Sequence, residues 1–262
     1  MFALKNITVK VNGRILLNQI NLTADTNQIT GLIGKSGSGK STLFRLALGL
    51  LSPTEGYEWS GSIDWKGTPL SKKQNPNLQP VFQDPHGSFS PFGSMKDLLL
   101  EPIRIKNGYF LSDEIKKKET LKIESFCKRF DLGLDLLNKT KQELSGGQLQ
   151  RFAILRSLLT NPEYLLLDEP VTALDVLVQK KIAEELKQIN QINRLGMFFV
   201  SHDLGFLSFM CDEIYVLDGG EIVEAGKPKE ILINPKSGLL QSLVAARNHS
   251  FGGVVSSSES SN

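Results

Sequence analysis

Apolar positions follow more than one rhythm along this chain. Leu4, Ile7, Val9 and Val11 are separated by polar residues, Asn12 and Gly13 supply a turn, and an apolar pattern resumes from Ile15 to Leu22. Alternation broken by an Asn-Gly pair predicts antiparallel strands. Ile29 to Ile33, apolar but for Thr30, reads as a short buried strand, and it leads straight into a glycine-rich segment. From Thr42 to Leu51 the spacing becomes helical. Pro53, Gly56, Gly61 and Gly67 punctuate a further strand region, and Leu78 to Phe82 is an apolar strand that ends at Gln83, Asp84 and Pro85.

Between Met95 and Leu159 the pattern changes to charged, helix-favouring segments, Asp113 to Phe130 among them, which predicts a helical insertion. Tyr164 to Asp168 and Met197 to Ser201 are again continuous apolar runs, with a helix from Val176 to Arg194 between them. Buried strands joined by a crossover helix imply a parallel sheet. Ile214 to Leu217 and Glu221 to Glu224, joined by Asp218, Gly219 and Gly220, form a last hairpin. The serine-rich end from Phe251 to Asn262 is expected to be disordered.

A length of 262 residues fits one large α/β domain, and 40% hydrophobic against 22% charged residues is the balance of a globular protein with a full core. The net charge of +2 gives no reason to expect nucleic acid as a partner. Cys127 and Cys211 are the two cysteines, with no Cys-x-x-Cys pair and no clustered histidines, so neither a metal site nor a disulfide framework is expected. The first residues lack the basic start and apolar run of a signal peptide, which predicts a cytosolic protein. No run approaches the roughly 20 apolar residues of a membrane helix.

The glycine-rich segment is Gly34, Lys35, Ser36, Gly37, Ser38, Gly39, Lys40 and Ser41, which matches the phosphate-loop pattern between a predicted strand and a predicted helix. Its glycines let the backbone curl so that N–H groups face phosphates at the helix start. Lys40 is expected to neutralise the β and γ phosphates of ATP, and the Ser41 hydroxyl to ligate Mg2+. Thr42 completes the candidate nucleotide-binding set. The strand Leu165, Leu166, Leu167 ends in two carboxylates, Asp168 and Glu169. Asp168 is the candidate support for magnesium, and Glu169 for orienting or deprotonating the attacking water. In Leu144, Ser145, Gly146, Gly147 and Gln148, the serine is placed to cap the following helix, and the glycines permit close approach of backbone N–H groups to an anion.

This last string resembles the signature motif of the nucleotide-binding subunits of ABC transporters. The resemblance runs to about residue 245 in the family's order: phosphate loop, Gln83, signature, Asp168 with Glu169, Asp175, His202. It implies a P-loop NTPase (RecA-like) α/β core with an antiparallel β subdomain and a helical insertion at about 86–160, inside a nucleotide-binding domain of residues 1–245. Residues 246–262 then form a disordered tail. It further implies that Gln83 contacts magnesium and the attacking water, and that His202 touches the γ phosphate. Thr172 to Asp175 becomes a loop crossing to a partner subunit, a reading compatible with Asp175 as a plain helix N-cap. His86 and His249 are left as loop residues.

The implied partners are transmembrane permease subunits, a second ATP-binding subunit of the same or a different kind, and, indirectly, an extracytoplasmic substrate-binding protein. The implied location is peripheral, at the cytoplasmic face of the membrane. Val81, Phe82, Gln83, Asp84 and Pro85, then Gly87, Ser88, Ser90, Pro91, Glu101 and Pro102, are similar to the oligopeptide, dipeptide and nickel importer branch. Family members place a base-stacking aromatic residue where this chain has Val11, and Phe2 is the candidate substitute. Two other classes stand beside the importer: a cytosolic ABC ATPase acting on ribosomes or DNA, and a metabolic P-loop kinase, which has no use for the signature string.

Overall fold

A computed structural model describes the chain apart from residues 70–74, 76, 109, 173 and 253–262 and the side chains of 248–252. In chain order the strands and helices are β1 (Phe2–Val11), β2 (Arg14–Ala24), β3 (Ile29–Ile33), α1 (Lys40–Ala47), β4 (Tyr57–Trp65), β5 (Thr68–Pro69), β6 (Leu78–Val81), α2 (Pro85–Ser88), α3 (Met95–Asn107), α4 (Asp113–Arg129) and α5 (Gly146–Leu159). They continue with β7 (Tyr164–Asp168), α6 (Val176–Asn193), β8 (Gly196–Ser201), α7 (Leu204–Met210), β9 (Glu213–Asp218), β10 (Glu221–Gly226), α8 (Pro228–Ile233) and α9 (Gly238–Gly252). The chain divides into two compact units, one of residues 1–74 and 198–262, the other of residues 75–197.

In the first unit, β2, β1, β4 and β5 form an antiparallel sheet in that order. The β1–β2 hairpin closes at Asn12 and Gly13, with Val11 opposite Arg14 and Phe2 opposite Ala24. One face is core: Phe2, Ile7, Val9, Leu17 and Ile20 have no exposed surface. A second layer orders its strands β10, β9, β3, β8, with β3 parallel to β9 and β9 antiparallel to β10. All five residues of β3 and all six of β8 are buried, as expected of strands covered on both faces. Polar bonds at Asn18 and Thr23 stitch the layers together. Asn18 N–H donates to the Gly220 carbonyl at 2.8 Å, and the Tyr215 hydroxyl donates to the Thr23 carbonyl at 3.2 Å.

The second unit pairs β6 with β7 in parallel, Val81 opposite Leu167. Helix α5 lies along β6, its Ser157 hydroxyl bonding the Pro80 carbonyl at 2.8 Å and its Gln150 amide bonding the Phe82 carbonyl at 3.4 Å. Each α-helix of this unit begins on a polar side chain: Asp84 caps α2, Ser94 α3, Ser112 α4, Ser145 α5 and Asp175 α6. Such caps satisfy N–H groups that a helix start otherwise leaves unpaired.

Several expectations are corrected. Helix α1 stops at Ala47 rather than Leu51, because Gly49 turns into the left-handed region at φ +69°. His86 sits in the single turn of α2 and His249 in α9, not in loops. Residues 246–252, placed in a disordered tail, continue α9, since the apolar and helix-forming run from Leu239 meets no breaker before Gly252. The remainder of the predicted tail, 253–262, lies outside the described residues. Phe2 is fully buried in the antiparallel sheet and cannot substitute for a stacking aromatic at Val11.

Candidate active site

The glycine-rich loop leaves β3 at Gly34, and its glycines answer to close neighbours. A Cβ on Gly34 would lie 2.4 Å from the Leu217 carbonyl oxygen, and one on Gly39 would lie 2.6 Å from Leu17. Gly39 also carries φ +104°, a conformation that disfavours any side chain. The loop is therefore held between β2 and β9, with Lys35, Ser36, Gly37 and Ser41 exposed and Thr42 half-buried. Lys40 turns its ammonium onto the loop, donating to the carbonyls of Gly34 at 2.7 Å and Lys35 at 2.9 Å.

Two features fit this loop to a polyphosphate. Helix α1 follows Gly39 with no side-chain cap at that residue and no acidic residue in its first turn, so no protein carboxylate competes for its positive dipole end. The Ser38 hydroxyl is buried and has no hydrogen-bond partner within the protein. A buried hydroxyl left unpaired costs about 1–3 kcal/mol, which a phosphate oxygen would offset.

Within the second unit the parallel register of β6 and β7 brings further candidates together. Gln83 follows Val81 by two residues and Glu169 follows Leu167 by two, so Gln83, Asp168 and Glu169 stand at adjacent strand ends. Gln83 is exposed, whereas Asp168 and Glu169 are buried. Glu169 adopts φ +46°, a strained value for a side-chain-bearing residue, and the Thr172 hydroxyl donates to its carboxylate at 2.9 Å. Carboxylate oxygens of this kind are the donor type that Mg2+ prefers. Magnesium bound there would supply charge neutralisation for phosphoryl oxygens.

The signature segment forms a closed helix start. Ser145 Oγ accepts from Gln148 N–H at 3.2 Å, and the Gln148 side chain accepts from Ser145 N–H at 3.0 Å, a reciprocal capping box over Gly146 and Gly147. Asp175 caps α6, accepting from Val178 N–H at 3.0 Å. His202 follows β8 and is exposed; the next residue, Asp203, caps α7 through Phe206 N–H at 2.9 Å.

Two contributors escaped the sequence reading. In the sequence Thr172 reads only as part of the loop running to Asp175, and no residue pattern announces its bond to Glu169. Lys141 donates to the carbonyls of His86 at 2.8 Å and Phe89 at 2.7 Å, tying the segment after Gln83 to the segment before Ser145. A lysine in a polar run carries no signal for that.

A phosphate loop after a buried parallel strand, with an acidic pair ending another, defines a P-loop nucleoside triphosphatase. The ABC transporter family model matches residues 17–172, and the chain belongs to that family. It is 37% identical to the nickel import ATP-binding protein NikE of Escherichia coli (strain K12) over 217 residues, 80% of this chain and 77% of the relative. It is 35% identical to the peptidoglycan transport ATP-binding protein YejF of Agrobacterium fabrum (strain C58 / ATCC 33970), covering 87% of this chain and 41% of that one. Among solved structures it resembles the dimeric post-hydrolysis state of the ATP-binding cassette MJ0796 bound to ADP and Pi, with a TM-score of 0.75, 28% identity, and 87% of this chain and 99% of that one covered. The cbiO1 protein from Clostridium perfringens, part of the ABC transporter complex cbiONQ, gives a TM-score of 0.75 at 25% identity over 97% of each chain. The chain is an ATPase of this class, with ATP and Mg2+ as its cofactors. No helix among the described residues is long and apolar enough to cross a membrane.

Proposed function

We propose that this chain is the ATP-hydrolysing motor of a multi-subunit importer in the oligopeptide, dipeptide and nickel branch, carrying peptides or nickel and other metal chelates. The observation that carries the importer reading is the 37% identity to a nickel import ATPase across 80% of the chain. In this reading Lys40, with the backbone from Gly34 to Thr42, holds the ATP phosphates, and Ser41, Gln83 and Asp168 hold Mg2+. Glu169 orients or deprotonates the attacking water, and His202 contacts the γ phosphate.

The uncapped start of α1 and the buried Asp168 and Glu169 support these roles. Ser145, Gly146, Gly147 and Gln148 act on the nucleotide of a second ATP-binding subunit, whether a copy of this chain or a relative, and Asp175 lies in the segment that meets it. ATP binding then favours the paired state and hydrolysis releases it, so a difference in affinity between two states becomes work on permease subunits. The protein sits peripherally at the cytoplasmic face, with the extracytoplasmic binding protein met only through the permease.

The test combines Mg2+-dependent ATPase assays of wild type and Glu169→Gln with affinity purification from detergent-solubilised native membranes. The reading expects turnover to fall by roughly 100-fold or more in the variant and a peptide-class or nickel-class permease to co-purify. Undiminished turnover removes Glu169 from catalysis. Recovery of ribosomes in place of a permease removes the importer.

A further inference from the structure

The face of the antiparallel sheet that touches the phosphate loop can be followed residue by residue. Leu17 reaches the loop at Gly39, and Leu17 stands opposite Val9 in the β1–β2 ladder. Val9 in turn stands opposite Trp59 of β4, and two residues toward the hairpin tip Val11 stands opposite Tyr57. Directly opposed residues, and residues two apart on a strand, share one face of a sheet. Leu17, Val9, Trp59, Val11 and Tyr57 therefore line the loop-facing surface. That surface passes from core to solvent along its length: Leu17 and Val9 are fully buried, whereas Val11 and Tyr57 are only half-buried.

Tyr57 is also tied to the helix that the phosphate loop opens. The guanidinium of Arg45 lies 5.7 Å from the Tyr57 ring centroid and is held from the side by Glu55 at 2.9 Å. Arg45 is five residues beyond Lys40 on α1, roughly 7–8 Å along the helix axis. A nucleotide whose phosphates occupy the loop must carry its base out of the loop toward solvent. Val11 offers no π face for it, and Phe2 is buried.

We propose that Tyr57, opposite Val11 and aligned by Arg45, is the aromatic platform on which the bound nucleotide's base stacks. The proposal rests on the phosphate loop holding the polyphosphate. It explains how this chain retains a base contact although the end of β1 is aliphatic. An aromatic face recognises any base through stacking, so the platform contributes affinity more than discrimination between purines.

The test is calorimetric binding of ATP, GTP and inorganic tripolyphosphate to the full chain and to Tyr57→Ala, Tyr57→Phe and Lys40→Ala. Stacking predicts that Tyr57→Ala weakens ATP and GTP by about tenfold each and leaves tripolyphosphate unchanged. Tyr57→Phe should restore nucleotide affinity to within about twofold, since the ring remains. Lys40→Ala should weaken all three probes. Wild-type ATP affinity in Tyr57→Ala overturns the platform, as does an equal loss of ATP and tripolyphosphate. If Lys40→Ala leaves every probe unaffected, the phosphate-loop reading itself has failed, and that result is distinct from a failure confined to Tyr57.

Discussion

Two helices of this protein begin in short runs of glycine, serine and polar residues, yet they finish their hydrogen bonding in opposite ways. At α1 the residue before the helix is Gly39 in the left-handed region, with no side-chain cap, and Ser38 keeps a buried hydroxyl unpaired. At α5 Ser145 and Gln148 satisfy each other's N–H groups in a complete capping box. The first start has no side-chain cap; the second is closed by its own side chains. Similar composition thus conceals an uncapped helix start in one place, the one that receives phosphates under the proposed function, and a self-sufficient helix end in the other. An anion approaching α5 meets the dipole and a serine already engaged, so its contact must displace or share a cap.

Removing the cation from the open start should have the largest effect. Lys40→Ala deletes an ammonium able to make at least two charge-assisted hydrogen bonds to phosphate oxygens, each contributing about 1.5–3 kcal/mol. ATP binding is expected to weaken by about 100-fold or more, with ATPase activity lost in parallel. Equilibrium binding checks the first and phosphate release the second. Retention of tight ATP binding would put the nucleotide somewhere other than α1, and the contrast between the two helix starts would lose its meaning.

The closed start predicts the reverse pattern. Ser145→Ala removes a cap contributing about 1 kcal/mol, and the melting temperature should fall by about 2–4 °C. Binding of ATP to the dilute, unpaired subunit should stay within about twofold of wild type, as expected for a site whose energy resides in the other loop. Thermal unfolding and calorimetry on the same samples give both numbers. A tenfold loss of ATP affinity without any change in melting would mean that Ser145 already contacts nucleotide in the single chain.

Ser38→Ala sharpens the comparison from the open side, because it deletes a polar atom that the free protein does not satisfy. Its melting temperature should hold or rise slightly, while ATP affinity falls by about fivefold, the worth of one neutral hydrogen bond. Loss of stability with ATP affinity intact would show that the hydroxyl serves the fold rather than the ligand.

What the sequence revealed divides along the same physical line between local and long-range causes. β3 and β7 are legible to the residue, since Ile29 to Ile33 is apolar but for Thr30 and ends at a glycine, and Tyr164 to Leu167 is an apolar run closed by the carboxylate of Asp168. The Ser145 cap was legible because a capping box is a local pattern. The burial of Phe2, the pairing of Val11 with Tyr57, and the reach of Lys141 to His86 and Phe89 depend on which segments meet across tens of residues. Nothing in the residues near Val11 identifies its neighbour on β4. The left-handed Glu169 was equally hidden, as tertiary structure imposes that backbone against the residue's own preference.

The smallest effect concerns acid, and it should separate the two helix starts by pH alone. Just before the signature segment, the Glu143 carboxylate accepts from Thr140 N–H at 2.7 Å and from the Thr140 hydroxyl at 2.7 Å. Those two bonds, the backbone one foremost, hold its pKa below the ordinary glutamate value. A carboxylate whose folded pKa is depressed stabilises the fold at pH values above its unfolded pKa, and that contribution is lost as pH falls through the folded value. Acidification should therefore loosen the segment ahead of α5, whereas α1 has no acidic residue in its first turn to protonate. Glu143→Gln keeps an acceptor oxygen for Thr140 but cannot titrate, so the Thr140 amide should exchange more slowly than in wild type only at acid pH. Site-resolved amide exchange at Thr140 and in the first turn of α1, measured from pH 6 down toward the acid limit of the fold, reads this directly. If wild type and Glu143→Gln loosen together at Thr140, the acid response of the signature side originates elsewhere, and Glu143 acts only as a neutral cap.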